Sequence, residues 1–168
     1  PMNPILGETY QALYSDGSKM YMEQTSHHPP VSSFQIYGPN RAWETSGFCR
    51  YKSGAGLNSF WLQNNGKRVM KVKEPKMEID YGFFNDAYNK CFWGNDGKTL
   101  HTTAGECIYE EKKLGIKAII KFDTVKGKPN DYFSGEINYT NKYTGQPQKI
   151  SILGSYLSYI EFDGVKYW

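Results

Sequence analysis

A regular succession of strand patterns separated by turn signals dominates this 168-residue sequence. The clearest strand spans 116–122, where apolar and mostly basic residues alternate as in a half-buried strand. Asn64-Asn65-Gly66-Lys67 predicts a hairpin, because Asn-Gly is among the strongest short-range hairpin signals. About ten to twelve strands at this spacing favour an antiparallel meander that curls into a large, partly open β-barrel.

The composition agrees with a mostly β fold. Fourteen tyrosines, nine phenylalanines, four tryptophans and seventeen glycines favour sheets and tight turns over helices. We expect little helix, confined to short pieces in the irregular aromatic stretch near Phe83 to Lys90. A barrel larger than the smallest closed ones holds a ligand inside, and such an interior suits a lipid.

Charge and cysteine usage restrict the class of protein. A formal net charge of +3 does not by itself indicate a nucleic-acid partner, but it helps a protein to approach anionic membranes. Three cysteines without a paired framework indicate a reducing compartment. No apolar run approaches the ~20 residues of a membrane-spanning helix. We expect residues 1–168 to form the core of one domain and, since the first residue is Pro1, to be a fragment of a longer protein.

The stretch from Glu23 to Pro30 contains two of the three histidines, His27 and His28, next to a Pro-Pro pair. A residue before proline is pushed out of the helical region, and proline cannot extend a strand ladder, so a strand ends here. Near a polyproline-like exit, successive side chains turn through roughly 120°. We therefore expect that the two imidazoles can contact the same bound group.

Three interpretations of the two histidines compete. The histidines are ordinary residues of a strand end, ligands of a metal, or donors to an anion such as phosphate. Zinc usually takes three or four ligands at short, recurrent spacings, and the remaining histidine and cysteines show no such pattern: His101, Cys49, Cys91 and Cys107. The sequence therefore predicts no metal site.

Three segments together resemble the oxysterol-binding protein family. Glu23-Gln24-Thr25-Ser26-His27-His28-Pro29-Pro30 is similar to the family's fingerprint, with Thr25 in the place of its usual valine. Asn3-Pro4-Ile5-Leu6-Gly7-Glu8 resembles the family's Asn-Pro-x-Leu-Gly-Glu segment, and Gly154-Ser155-Tyr156 resembles its Gly-x-Trp region with Tyr156 replacing tryptophan. The resemblance implies a sheet-based barrel with a hydrophobic tunnel, whose N-terminal lid and following helical region lie outside this chain.

The resemblance also implies a headgroup site. His27 and His28 match the family's paired histidines on the phosphate of a phosphoinositide, and Asn3 matches its asparagine at the same site. Leu6 and Gly7 belong to the segment that lines the mouth of the tunnel. The residues from Tyr51 to Ser59 are loosely similar to another family segment, which adds Asn58 and Ser59 as further lining near the headgroup.

The function that the resemblance implies is lipid binding and lipid transfer. The module carries a sterol or another lipid in its tunnel and exchanges it for a phosphoinositide, with no cofactor and no catalysis. Its partners are these lipids and, through peripheral contact, anionic membranes, without nucleic acid. We expect a cytoplasmic protein that acts at membranes or membrane contact sites.

Two alternatives belong to other classes. A hydrolase acting on phosphate esters would use His27 or His28 as a general base, and Glu23 is the nearest carboxylate in sequence. Four residues of extended strand place Glu23 about 13 Å from His27, too far for a direct pair. The other alternative is a β-sandwich interaction module.

Lys67, Lys71 and Lys73 share one face of a predicted strand with Val69. This basic edge has two interpretations, a solvated face or a surface that attracts lipid headgroups.

Overall fold

The computed structural model of the protein describes residues 4–83, 85–89, 91–93, 100–122 and 125–167. These contain fourteen strands and one short 3-10 helix, Pro39–Arg41. The strands are β1 (Thr9–Leu13), β2 (Lys19–Ser26), β3 (Val31–Tyr37), β4 (Trp43–Ala55), β5 (Ser59–Asn65), β6 (Arg68–Val72), β7 (Met77–Tyr81), β8 (Asn85–Asn89), β9 (Leu100–Glu111), β10 (Ile116–Phe122), β11 (Tyr132–Thr140), β12 (Pro147–Ser155), β13 (Tyr159–Phe162) and β14 (Val165–Lys166).

The mostly β, antiparallel fold class is confirmed, with more strands than the sequence predicted. The prediction of short helical pieces near Phe83 to Lys90 is wrong for residues 85–89, which form β8. The segment Asn-Asp-Ala-Tyr-Asn has no clear alternation, but β8 pairs with β5 along one edge and with β9 along the other. Ladder hydrogen bonds from two neighbours stabilise a strand that local propensity does not favour.

The chain divides into two compact units, Pro1–Lys52 with Asn64–Gly82 and Ser53–Gln63 with Phe83–Trp168. In the first unit, antiparallel strands lie in the order β1, β2, β3, β4, β6, β7. One face carries two rows of mainly apolar side chains, which cross the strands in register. The larger apolar members of these rows are Tyr10, Met20, Met22, Phe34, Ile36, Met70 and Ile79. All of them remain partly or well exposed, whereas Thr45 and Arg68 in the same rows are buried, so this face is only partly covered.

The Asn-Gly hairpin predicted at 64–67 is wrong, because β6 pairs with β4 and β7 whereas β5 pairs with β8. Gly66 instead passes against the backbone of β4. A Cβ at Gly66 would lie 1.8 Å from the carbonyl oxygen of Phe48, a distance that no side chain tolerates. The Phe48 N–H also donates to the Lys67 carbonyl over 3.1 Å. Glycine is needed at position 66 for this close approach, which a sequence pattern cannot distinguish from a turn.

The second unit is an antiparallel sheet in the order β5, β8, β9, β10, β11, β12, β13, β14. The alternation predicted for 116–122 is confirmed: Ile120 pairs with Cys107 and Gly135, and Phe122 pairs with Phe133. Cys107, Phe133 and Ile152, which lie on this face, are buried. The opposite face carries charged pairs such as Lys121 with Glu106 at 3.2 Å.

In the part of the chain that the structure describes, there is no helix of the length and apolar character that crossing a bilayer requires.

Candidate functional site

The two histidines lie in a turn between β2 and β3. β2 ends at Ser26, residues 27–30 form the turn, and β3 begins at Val31. Both histidines are exposed, and the centroids of their imidazole rings are 4.6 Å apart at an interplanar angle of 68°. Within the described ranges, neither imidazole makes a hydrogen bond or an ion pair to protein. Their ring N–H groups therefore remain available to a ligand on the exposed side of the turn.

Gln24 holds the base of this turn. Its side chain is only 5% exposed, and its amide nitrogen donates to the Ser26 carbonyl over 2.6 Å. The Ser32 hydroxyl donates to the amide oxygen of Gln24, also over 2.6 Å. The register between β2 and β3 shifts between Gln24 and Ser26, as in a β-bulge. Because one buried amide binds both strands beside the bulge, the turn starts from a fixed base.

The N-terminal segment, residues 4–8, lies against the same end of β2. The Gly7 N–H donates to the Gln24 carbonyl over 2.8 Å, and the Gln24 N–H donates to the Glu8 carbonyl over 3.0 Å. Glu8 folds the segment back, since its carboxylate accepts a 2.9 Å hydrogen bond from the Ile5 N–H. Leu6 remains 63% exposed. The structure thus brings Leu6 and Gly7 close to the strand end that carries the histidines, whereas Asn3 lies outside the described residues.

A cavity of about 150 Å³ lies beside this segment. Its wall includes Pro4 and Glu8 on one side and Met22, Gln24 and Ser32 on the other. This volume is smaller than the ~300 Å³ of the smallest typical ligand pockets, so the cavity is too small to enclose a lipid by itself.

Arg50 is a basic residue at this end of the sheet that the sequence interpretation missed. It lies in β4 directly opposite Val31, the first residue after the turn. The adjacent Tyr51 N–H donates to the Pro30 carbonyl over 3.3 Å, which ties β4 to the turn itself. Arg50 is exposed and adds positive charge next to the histidines. Its sequence distance from the turn gave no signal, because only the pairing of β3 with β4 brings them together.

Carboxylates and metal-ligating side chains around the histidines bear on the catalytic and metal interpretations. Glu23 pairs with Thr9 and Ser33 in the sheet, and among the described residues no carboxylate is ion-paired with either histidine. No group of three or more His, Cys, Asp or Glu side chains suited to a metal occurs in the described ranges. The third histidine, His101, belongs to the second unit, where its Nε2 lies 2.9 Å from Asp86 Oδ1.

In the second unit, Asn58 lies between β4 and β5, and Ser59 is the first residue of β5. The Asn58 side chain accepts a 2.8 Å hydrogen bond from the Phe92 N–H and donates over 2.9 Å to the Trp93 carbonyl. The Ser59 carbonyl accepts a 2.9 Å hydrogen bond from the Gly56 N–H. Both residues hold local structure, and their predicted place near a headgroup stays a prediction.

Sequence comparisons identify relatives along almost the whole chain. The family model described as oxysterol-binding protein matches residues 1–167. Oxysterol-binding protein homolog 1 of Saccharomyces cerevisiae is 37% identical over 146 residues, which cover 86% of this chain and 10% of that protein. Oxysterol-binding protein 9 of Dictyostelium discoideum is 27% identical over 188 residues, covering 100% of this chain and 43% of that protein. The chain therefore spans less than half the length of these relatives.

Solved structures share the fold. The Osh3 ORD from Saccharomyces cerevisiae, solved in complex with PI(4)P, superposes with a TM-score of 0.81 at 20% identity, over 99% of this chain and 44% of that one. The Osh1 ORD domain in complex with ergosterol gives a TM-score of 0.78 at 20% identity, over 94% of this chain and 36% of that one. At this identity the likeness establishes the fold alone. None of the comparisons supports the phosphate-ester hydrolase.

Proposed function

The chain belongs to the oxysterol-binding protein family, and from this premise we propose that it is a lipid-binding and lipid-transfer module. It carries a sterol or another lipid and exchanges it for a phosphoinositide. The observation that carries this proposal is the pair of exposed imidazoles, 4.6 Å apart, on a turn with a fixed base. Two convergent N–H donors suit a phosphate group, whose oxygens accept charge-assisted hydrogen bonds.

His27 and His28 bind the headgroup phosphate, and Asn3 supplies a further contact from the N-terminal segment. Arg50 contributes favourable electrostatics from the neighbouring strand. The Gly7 N–H is already bonded to Gln24, so Gly7 lines the site without donating to the phosphate, and Leu6 lines the site next to it. Leu6, which is largely exposed, is suited to contact the apolar part of a lipid next to its headgroup. Asn58 and Ser59 are further lining of the headgroup site, a role that rests only on the resemblance of their segment to the family.

The hydrophobic ligand lies against apolar sheet faces. In the first unit such a face is formed by side chains that remain partly exposed, including Met22 and Phe34. Covering this face with a sterol or an acyl chain would remove apolar area from water, at roughly 25 cal/mol per Å². Residues 1–168 act as the core of one ligand-binding domain, and the hydrophobic tunnel expected from the family is the place of the lipid.

No covalent chemistry is involved, because exchange of lipids requires only binding and release. The protein works in the cytoplasm and contacts anionic membranes peripherally, at membrane surfaces or at contact sites between two membranes. Osh3, whose ORD was solved with PI(4)P, and Osh1, whose ORD domain was solved with ergosterol, support these two ligand classes for this chain.

The test replaces both histidines with alanine in the full-length protein. Each hydrogen bond to a charged phosphate contributes roughly 1.5–3 kcal/mol, so losing both imidazoles is expected to cost about 3–6 kcal/mol, or ~10²- to 10⁴-fold in phosphoinositide affinity. Extraction from liposomes, followed by native mass spectrometry of the bound lipid, measures both ligand classes. Binding of the hydrophobic ligand should be nearly unchanged.

His101→Ala is the matched control, since it removes an imidazole from the second unit. A double variant that extracts phosphoinositide as well as the parent would show that the histidines are structural. Loss of both ligands together with unfolding would lead to the same conclusion.

A further inference from the structure

Three large apolar side chains are exposed together in the second unit. Leu57 is 86% exposed, Phe92 is 70% exposed and Trp93 is 53% exposed. They come from two segments, the connection between β4 and β5 and residues 91–93 after β8. We call this group, Leu57 with Phe92 and Trp93, the apolar tip. Exposed apolar clusters of this kind mark interaction sites on soluble proteins.

Asn58 joins the two segments of the apolar tip. Its side-chain oxygen accepts hydrogen bonds from the N–H groups of Phe92 and Trp93, over 2.8 and 3.3 Å. Its side-chain nitrogen donates to the Trp93 carbonyl over 2.9 Å, and its own carbonyl accepts from the Cys91 N–H over 3.2 Å. These four bonds hold Leu57, the neighbour of Asn58, next to two aromatic residues that are far away in sequence. These hydrogen bonds therefore hold the three exposed side chains of the tip together.

The rings of Phe92 and Trp93 are arranged side by side. Their centroids are 6.1 Å apart with an interplanar angle of 32°. Both residues are more than half exposed, so both present apolar surface to the outside. Tryptophan combines an apolar body with one N–H donor, the combination that favours the boundary between lipid headgroups and acyl chains.

The size of the tip favours a bilayer over a protein partner. A large aromatic side chain buries about 150–250 Å² when it is covered, so these three partly exposed side chains offer roughly 400 Å². A stable protein–protein interface needs about 800 Å² on each partner. Partial insertion into a bilayer has no such threshold, because lipids rearrange around whatever apolar surface is presented.

The charges in the two sequence segments that carry the tip favour an anionic bilayer. Lys52 precedes the first segment and Lys90 directly precedes the second in the sequence. No acidic residue occurs between Lys52 and Asn58, or from Ala87 to Trp93. Basic residues next to an inserting apolar group are attracted to anionic headgroups, which adds to the binding supplied by apolar burial.

We propose that Leu57, Phe92 and Trp93 insert into the interface of an anionic bilayer and dock the protein there during lipid exchange. Asn58 is the positioning residue of this surface. The inference rests on the proposed function, because docking on a membrane serves a protein that loads and unloads lipids. It differs from the headgroup site in residues and in ligand: the tip contacts the bilayer as a surface, whereas His27 and His28 bind one phosphate group.

The test measures binding of the full-length protein to vesicles of phosphatidylcholine with and without phosphatidylserine. Phe92→Ser with Trp93→Ser is expected to weaken binding to the anionic vesicles by about 10²- to 10⁴-fold, since burying each of the two large apolar side chains contributes about 1.5–3 kcal/mol. Leu57→Ser, at the most exposed of the three positions, is expected to weaken binding in the same direction without altering the fold. Bromine-labelled lipids should quench the fluorescence of the parent protein more than that of a Trp93→Phe variant.

Tyr143→Ser is the matched control. Tyr143 is 98% exposed in a turn of the same unit, and Asn141 accepts hydrogen bonds from Tyr143 N–H and Thr144 N–H over 2.9 and 3.1 Å, much as Asn58 does for the tip. This variant should bind vesicles like the parent. Equal losses in the control and the tip variants would overturn the proposal, because any exposed aromatic residue would then have the same effect.

A short-chain, water-soluble phosphoinositide separates this inference from the proposed function. The tip variants should bind it like the parent, whereas the His27 and His28 variants should lose it and keep vesicle docking. If the parent binds no soluble phosphoinositide, the headgroup proposal fails. The docking proposal is then still tested by the binding of the tip variants to vesicles. Unchanged vesicle binding in the tip variants, or a parent dimer that the tip substitutions convert to a monomer, would overturn membrane docking.

Discussion

The Ser32 hydroxyl donates a 2.6 Å hydrogen bond to the buried side-chain oxygen of Gln24, and this contact joins β2 to β3 at the base of the histidine turn. The same amide donates to the Ser26 carbonyl on the other side of the bulge. One side chain therefore bonds to both strands that support His27 and His28. Preorganisation of this kind reduces the entropy that a ligand must overcome on binding.

Gln24→Ala is expected to lower the free energy of unfolding by about 1–3 kcal/mol, because two partly buried polar groups, the Ser26 carbonyl and the Ser32 hydroxyl, lose their partner. Urea unfolding measures this change. Gln35→Ala, at a half-buried position in β3, is the matched control and should change stability by less than about 0.5 kcal/mol. Equal effects at positions 24 and 35 would show that the bridge contributes nothing beyond the loss of an amide side chain.

Arg50→Gln is expected to weaken phosphoinositide binding by about 2- to 5-fold, since an exposed ionic interaction contributes up to about 1 kcal/mol. The effect should decrease as salt screens the charges. Affinity for a soluble phosphoinositide at low and high ionic strength provides the measurement.

Arg41→Gln makes the same change in charge at the other end of β3. Arg41 lies 4.9 Å from the Tyr37 ring centroid, and Tyr37 is the last residue of the strand that begins at Val31 beside Arg50. Six residues of strand separate these ends by about 20 Å. If both arginine variants bind phosphoinositide equally, Arg50 acts through overall charge and not through its position.

Strand ends can be predicted from the sequence where prolines or glycines mark them. The bounds of β3, Val31–Tyr37, coincide with such residues, since Pro29-Pro30 precedes it and Gly38-Pro39 follows it. β8 was missed, since its stability comes from pairing on both edges and not from its own residues. Local signals are sufficient where prolines and glycines end an element, but not where pairing partners determine it.

In the candidate site too, local signals were sufficient for some residues and long-range pairing determined others. The histidines and the N-terminal segment were identified from contiguous motifs. Arg50 was not, because its position next to the turn depends on the register of β3 against β4. The role of Asn58 in holding residues 91–93 was also beyond prediction, since that contact joins segments that are far apart in sequence. Motifs locate residues within a segment, while long-range pairing determines their neighbours.

Asp163 provides a prediction about acid stability. The Ser151 N–H and the Ser151 hydroxyl donate to its carboxylate over 2.7 and 2.9 Å, and these bonds lower the pKa of Asp163 below its ordinary value. A carboxyl group whose pKa is lower in the folded state stabilises the fold above its unfolded pKa, about 3.9, and loses this contribution as pH falls through its folded pKa. The parent should therefore lose more stability on acidification below about pH 4 than Asp163→Asn does.

Urea unfolding midpoints measured across this pH range test the prediction. Asparagine suits position 163 because its φ is 47° there, a left-handed conformation that Asn adopts readily. Ser151→Ala removes only the hydroxyl donor and should give an intermediate pH profile. Parallel profiles for the parent and Asp163→Asn would mean that the two serine bonds do not couple to protonation.

The last prediction concerns Asn58 and the backbone of the apolar tip. Asn58→Ala removes the acceptor for the N–H groups of Phe92 and Trp93. Losing a hydrogen bond of net value about 0.5–1.5 kcal/mol should increase hydrogen exchange at these two amides by roughly 3- to 10-fold. Asn58→Asp keeps an oxygen that accepts both bonds but loses the donor to the Trp93 carbonyl. Protection at Phe92 and Trp93 should therefore be largely retained in Asn58→Asp.

Asn141→Ala is the control for this experiment, because it removes a similar pair of acceptor bonds from Tyr143 and Thr144 in another turn. It should leave exchange at Phe92 and Trp93 unchanged. Asn58→Ala is expected to increase exchange at these amides and also to weaken binding to anionic vesicles, while Asn141→Ala does neither. This result would show that docking depends on the position of the aromatic residues and not only on their exposure. Unchanged exchange in Asn58→Ala would show that the tip is held by other contacts.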